Sequence, residues 1–152
     1  MAEKIREFKG RAVMPGKVSG EAVVSRQGFN TLASFQKGAM SNKKIIKCGD
    51  QNNADVYGKA LSGKVLCLPK TIGSTTGGMV LQTAASMGAA PLAMLFSEKI
   101  DSLAAAGVIL ADVWNGNRIV TVDSLGAEFL AFVQHDQKID IFDDGRVLVH
   151  QS

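Results

Sequence analysis

An α/β fold, an open mixed sheet with flanking helices, is what this 152-residue sequence predicts, on three observations. Short apolar runs bounded by turn residues alternate with segments whose apolar positions recur at helical spacing, the pattern of a partly parallel sheet with helices packed on it. Near the start, two strand-like runs are joined by Pro15-Gly16-Lys17, a strong turn signal. At the end, two cleanly alternating runs flank Asp143-Asp144-Gly145, which predicts a hairpin with one wet face.

Taken in order, residues 8–14 and 18–25 read as the first two strands, the second alternating loosely through Val18, Gly20, Ala22 and Val24. Residues 27–55 lose the pattern, with Phe29, Leu32 and Phe35 scattered among Ser, Asn, Gly and Lys. A long excursion on the substrate or partner side and a packed irregular loop fit that stretch equally. Residues 64–88 divide into an apolar strand (Val65-Leu66-Cys67-Leu68), a loop of Gly, Ser and Thr, and a helix with Met79, Val80, Thr83, Ala84 and Met87 at helical spacing. Pro91-Leu92-Ala93-Met94-Leu95-Phe96 reads as a buried strand. Residues 97–106 read as a helix, since Ser97 precedes Glu98 and Ile100, Leu103 and Ala104 share a face; Gly107 ends it. Val108-Ile109-Leu110-Ala111 and Ile119-Val120-Thr121-Val122 give two more buried strands, and residues 138–142 and 146–150 the closing hairpin. No internal repeat or linker marks a second unit, so one domain over residues 1–152 is expected.

Composition narrows the function. An apolar fraction of 46% with 20% charged residues describes an ordinary globular chain, and 6% aromatics offer no base-stacking surface. The net charge is +3, and Lys43, Lys44 and Lys47, without interleaved aromatics, suit a solvated face or a subunit contact rather than nucleic acid. Residues 1–9 are charged, unlike a secretory signal, and the longest apolar stretch, around residues 103–111, is too short to span a membrane. Cys48 and Cys67 fit a reduced, cytoplasmic chain, and with the distant His135 and His150 they make no recognised metal spacing, so no metal is expected in this chain.

The chemistry concentrates at Gly73-Ser74-Thr75-Thr76-Gly77-Gly78, between a strand and a helix. The first turn of a helix leaves N–H groups unpaired and carries the positive end of the dipole, so anions settle there. The glycines let backbone approach a ligand, while the three hydroxyls offer caps, ligand contacts, or a nucleophile or base. On the local pattern alone a plain N-cap on a flexible turn is the favoured reading, since caps are far commoner than catalytic serines.

Pro15-Gly16, Gly20-Glu21-Ala22, Leu61-Ser62-Gly63-Lys64-Val65-Leu66 leading to Gly73-Ser74, and Gly88-Ala89-Ala90-Pro91 together resemble the small, swivelling subunit of the aconitase X group, over about 120 residues. The resemblance implies a swivelling β/β/α domain like the last domain of aconitase. It implies a larger partner subunit holding an iron or iron–sulfur centre, and hydro-lyase activity. Some members of the group dehydrate cis-3-hydroxy-L-proline to a pyrroline carboxylate, and archaeal ones dehydrate phosphomevalonate. The family's catalytic base is the serine of the Gly-Ser turn, which falls on Ser74; Gly73, Thr75 and Thr76 would then hold the substrate carboxylate. Ser74 also suits the task chemically. Eliminating water needs a base for the proton next to the carboxylate while a metal draws off the neighbouring hydroxyl, and a serine alkoxide needs N–H donors in a dry site.

The departures point to a substrate. Aconitases follow this serine with a second serine and a carboxylate-gripping arginine, whereas Thr75 and Thr76 stand here with no Arg nearby. A monocarboxylate is therefore expected. Lys70 is the nearest cation, as a solvated loop charge or a ligand contact. With no extra cations for a phosphate, cis-3-hydroxy-L-proline comes first, phosphomevalonate second, and a non-catalytic anion- or partner-binding module third. An apolar surface for the large subunit is expected on the side of the Ser74 turn.

Overall fold

A computed structural model of the chain describes residues 4–41, 44–73 and 77–151. The strands are β1 (Lys4–Lys9), β2 (Arg11–Met14), β3 (Val18–Val24), β4 (Phe29–Asn30), β5 (Val65–Leu68), β6 (Thr71–Ile72), β7 (Ala93–Phe96), β8 (Val120–Asp123), β9 (Lys138–Ile141) and β10 (Arg146–Gln151). The helices are α1 (Thr31–Met40), α2 (Gly77–Ser86), α3 (Ser102–Asn115) and α4 (Ala127–Phe132). Eight strands form one mixed sheet in the order β1-β10-β9-β3-β5-β7-β8-β2, and β4 and β6 form a separate parallel pair.

The sheet curls strongly, because β1 and β2 stand at its opposite edges yet only Gly10 lies between them. The Gly10 N–H donates to the Gly145 carbonyl at 3.0 Å, and a Cβ on Gly10 would collide with the Asp123 carbonyl and the Val122 side chain. The single strand expected over residues 8–14 is thus two strands, one paired with β10 and the other with β8.

Strands β3, β5, β7 and β8 run parallel, and β5 and β7 bury both faces, which is why those two are continuously apolar, whereas β3 is buried only over Ala22–Val24. Ala22, Val24, Val65, Cys67, Ala93, Leu95, Val120 and Val122 face the inside of the curl, while Val23, Leu66, Leu68, Met94 and Phe96 pack under α1, α2 and α3. Within the curl, Phe129 of α4 meets Phe8 edge-on at 5.3 Å. This six-residue helix is too short to carry a readable period and has no counterpart in the sequence reading. The β9–β10 hairpin forms as expected, with Ile139, Ile141, Val147 and Val149 buried on one face.

The reading of residues 97–111 is corrected. Residues 108–111 are not a strand: α3 runs through Gly107 to Asn115, burying Ala104, Val108 and Ala111 at i, i+4 and i+7, and ends at Gly116 in the left-handed region. A continuous apolar run hides a helical period, and a buried Gly107 is tolerated where α3 packs closely on α2. The helix also starts later than Ser97, because Asp101 caps it. Of the patternless residues 27–55, those described are packed: they contain α1, and Phe29, Phe35 and Ile46 are fully buried.

Candidate active site at the Gly73 turn

Strands β3, β5 and β7 end at the same edge of the sheet, the edge at which parallel α/β sheets place their ligands. From β5 the chain passes through β6 into α2. Pairing of β6 with β4 in the register Phe29↔Thr71 and Asn30↔Ile72 sets the start of α1 beside the turn. Thr71 donates its hydroxyl to Asp101, the N-cap of α3, whose other oxygen accepts from the Ala104 N–H at 3.0 Å. Asn30 caps α1 by accepting from the Ala33 N–H, also at 3.0 Å. Three helices therefore begin around residues 71–77, and their dipoles favour negative charge there, which the Asp101 carboxylate already supplies at the start of α3.

Gly73 has φ +102°, and a Cβ on it would stand 2.6 Å from Asn30 Oδ1 and 2.7 Å from Asn30 Nδ2. No other residue fits, on both counts. The predicted base Ser74 and the predicted contacts Thr75 and Thr76 lie outside the described residues. Lys70 is exposed, and its carbonyl accepts from the Phe29 N–H at 2.8 Å. On either side of the turn, Ile72 is 50% and Met79 65% exposed, unusual for large apolar side chains. Along the same edge runs a shallow groove lined by Arg26, Pro69, Ser97, Glu98 and Leu130. Arg26 is held there by donating to the carbonyls of Leu130 and Val133 at the end of α4, so it acts as a structural clamp.

Among the described residues the other titratable groups do not assemble a competing site. Cys48 and Cys67 are free and buried, and burial pushes the Cys67 thiol up, away from thiolate chemistry. His135 Nδ1 accepts from the Val24 N–H at 3.1 Å; desolvation first, then Lys59, lowers its pKa, so the ring is neutral at pH 7. Ser19 and His150 both bond to Asp140, at 2.5 and 2.6 Å, toward the opposite end of β3. With the carboxylate between them, serine and histidine do not form a nucleophile–base pair. Among the described residues no three His, Cys, Asp or Glu side chains gather as a metal site, so the iron implied by the resemblance finds no ligand set in them.

The sequence reading missed Asn30, Thr71 and Asp101. Asn30 was detectable as an N-cap before Thr31-Leu32, with Phe35 three residues beyond Leu32, although nothing local placed it beside Gly73.

A curled mixed sheet that brings the starts of three helices to one glycine turn at its edge defines an α/β domain. More specifically, the chain belongs to the aconitase X swivel domain family, which matches residues 7–149. The small subunit of phosphomevalonate dehydratase from Pyrococcus furiosus is 34% identical over 107 residues, 70% of this chain and 74% of that protein. Its counterpart from Methanocaldococcus jannaschii is 32% identical over 107 residues, 70% of this chain and 75% of that one. The crystal structure of Thermococcus kodakaraensis aconitase X in its holo-form superposes with a TM-score of 0.79 at 25% identity, covering 95% of this chain and 98% of that one. The curled mixed sheet with flanking helices is thus the swivel-domain fold, and the chain is a small subunit of the aconitase X type of dehydratase.

Proposed function

We propose that this chain is the small subunit of a cytoplasmic hydro-lyase that dehydrates phosphomevalonate, with Ser74 as the base and Gly73, Thr75 and Thr76 holding the substrate carboxylate. The observation that carries the substrate is the likeness to phosphomevalonate dehydratase small subunits. It reverses the order expected from the turn alone, where missing cations favoured cis-3-hydroxy-L-proline. That argument weakens once three helix N-termini stand around the turn, because N–H groups and dipoles hold anions without a cationic side chain. The phosphate also lies far enough from the reacting carbons to be held by the partner.

The substrate fits the chemistry. Its carboxylate is flanked by a carbon bearing protons and then by a carbon bearing the hydroxyl to be lost, so one base beside one anion cradle suffices. The Lewis acid that draws off the hydroxyl is assigned to an iron or iron–sulfur centre in the large subunit. This chain's part is to bind the carboxylate end, keep water out and take the proton.

The deciding experiment is anaerobic co-expression with the adjacent large-subunit candidate, assaying dehydration of both phosphomevalonate and cis-3-hydroxy-L-proline. Phosphomevalonate turnover that needs both chains is the expected result. Turnover of the proline alone restores the earlier order, and absence of any complex leaves a non-catalytic anion- or partner-binding module.

Ile72 and Met79, exposed on both sides of the turn, supply the apolar surface for the large subunit. Ile72→Asp combined with Met79→Asp is expected to weaken assembly by at least about 100-fold, as loss of central apolar contacts does at other interfaces. The Tm of the isolated chain should hold, since neither side chain is part of the core. Co-elution at unchanged affinity would move the interface elsewhere.

A further inference from the structure

We infer that Asn30 is a positioning residue of the reaction, a neutral wall against which the Gly73 turn is set; this rests on the reading of that turn as the reacting site. Asn30 ends β4, and its Oδ1 caps α1. Its carboxamide also occupies the space where a side chain on Gly73 would be. A cap needs only an oxygen, and Asp serves as well as Asn in that role. The amide nitrogen is the difference: it brings N–H donors and no charge to the turn, at the point where three helix dipoles favour an anion. A carboxylate there would repel both a substrate carboxylate and a serine alkoxide. Asn30 therefore does two separable things. It closes α1 through Oδ1, and through Nδ2 and its bulk it holds the residue before Ser74 in place without adding negative charge.

Asn30→Asp separates the two. The variant keeps the shape and the cap, so the Tm and assembly with the large subunit should stay at wild-type values. Turnover should fall at least tenfold, and the pH at which the base titrates in the kcat profile should rise. Wild-type turnover and an unshifted profile would reduce Asn30 to a helix cap and overturn the inference. Ser74→Ala, assayed alongside, keeps the two claims apart. Loss of turnover in Ser74→Ala with full turnover in Asn30→Asp removes Asn30 only. The reverse pattern removes Ser74 as the base and leaves Asn30 standing. A readout independent of turnover is backbone relaxation of the 15N-labelled full chain. Asn30→Ala should lower the order of the Gly73 amide, whereas a residue acting only as the cap of α1 would loosen α1 and leave Gly73 unchanged.

Discussion

Ser74→Ala in the assembled two-subunit enzyme is expected to lower kcat by about 10²–10⁴, the range a positioned general base contributes, with KM and the complex intact. The turn that carries Ser74 is defined by Gly73, whose positive φ and close approach to Asn30 do not depend on the hydroxyl. The helix N-termini around it remain, so on the proposed reading substrate binding is expected to survive the substitution. What the substitution removes is the hydroxyl proposed to take the proton. Single-turnover assays with equal concentrations of both subunits would separate chemistry from assembly. Turnover within a few-fold of wild type would remove Ser74 from the mechanism and leave it as a cap of α2.

The second large effect is on stability and comes from Asp123 at the end of β8. Its side chain is fully buried. It accepts from Arg11 Nε at 3.0 Å, from Arg11 Nη2 at 2.6 Å and from the Ile100 N–H at 2.8 Å. This carboxylate ties β2 to β8, and both to the approach to α3, at the place where the curled sheet brings its edges together. Desolvation is the largest influence and would raise the Asp123 pKa, but the guanidinium of Arg11, the Ile100 N–H and the Ser124 hydroxyl together outweigh it and hold the carboxyl below its ordinary range. Arg11 is half exposed and can turn to water when its partner is lost. The cost of Asp123→Ala therefore comes mainly from the stranded Ile100 N–H and the cavity, about 2–3 kcal/mol. A Tm lower by about 5–10 °C follows for a chain of this size. The pH dependence has a definite sign. A carboxyl whose pKa is lowered by folding contributes its full stability above the unfolded value of 3.8 and loses it as pH falls through the lower folded value. Melting curves between pH 7 and pH 3 should thus show an acid-sensitive component below about pH 4 that is missing in Asp123→Ala. A variant melting within about 2 °C of wild type at pH 7 would show that the edge closure does not depend on this pair.

Local order in the chain is written locally. The central strands are legible because burial on both faces demands unbroken apolar runs, as in Val65-Leu66-Cys67-Leu68 and Ala93-Met94-Leu95-Phe96. The last hairpin is legible because one wet face imposes strict alternation. The Gly-Ser turn between a strand and a helix marks the candidate site for the same reason: its glycines and hydroxyls are a local requirement of an anion cradle. Tertiary structure decided the rest. Gly10 splits one apparent strand into two only because its backbone is caught between Gly145 and Asp123, more than a hundred residues away. The run from Val108 to Ala111 is helical because α2 covers one face of it, a contact no local pattern contains. Asn30, Thr71 and Asp101 meet at the Gly73 turn through the β4–β6 pairing and the parallel order of β5 and β7. By itself, then, the sequence determined the elements whose burial or turn chemistry is settled within about ten residues of chain, together with the family-level motif they carry. The closure of the sheet and the surroundings of the site rest on contacts between distant segments, and those depend on chain topology rather than on local preference.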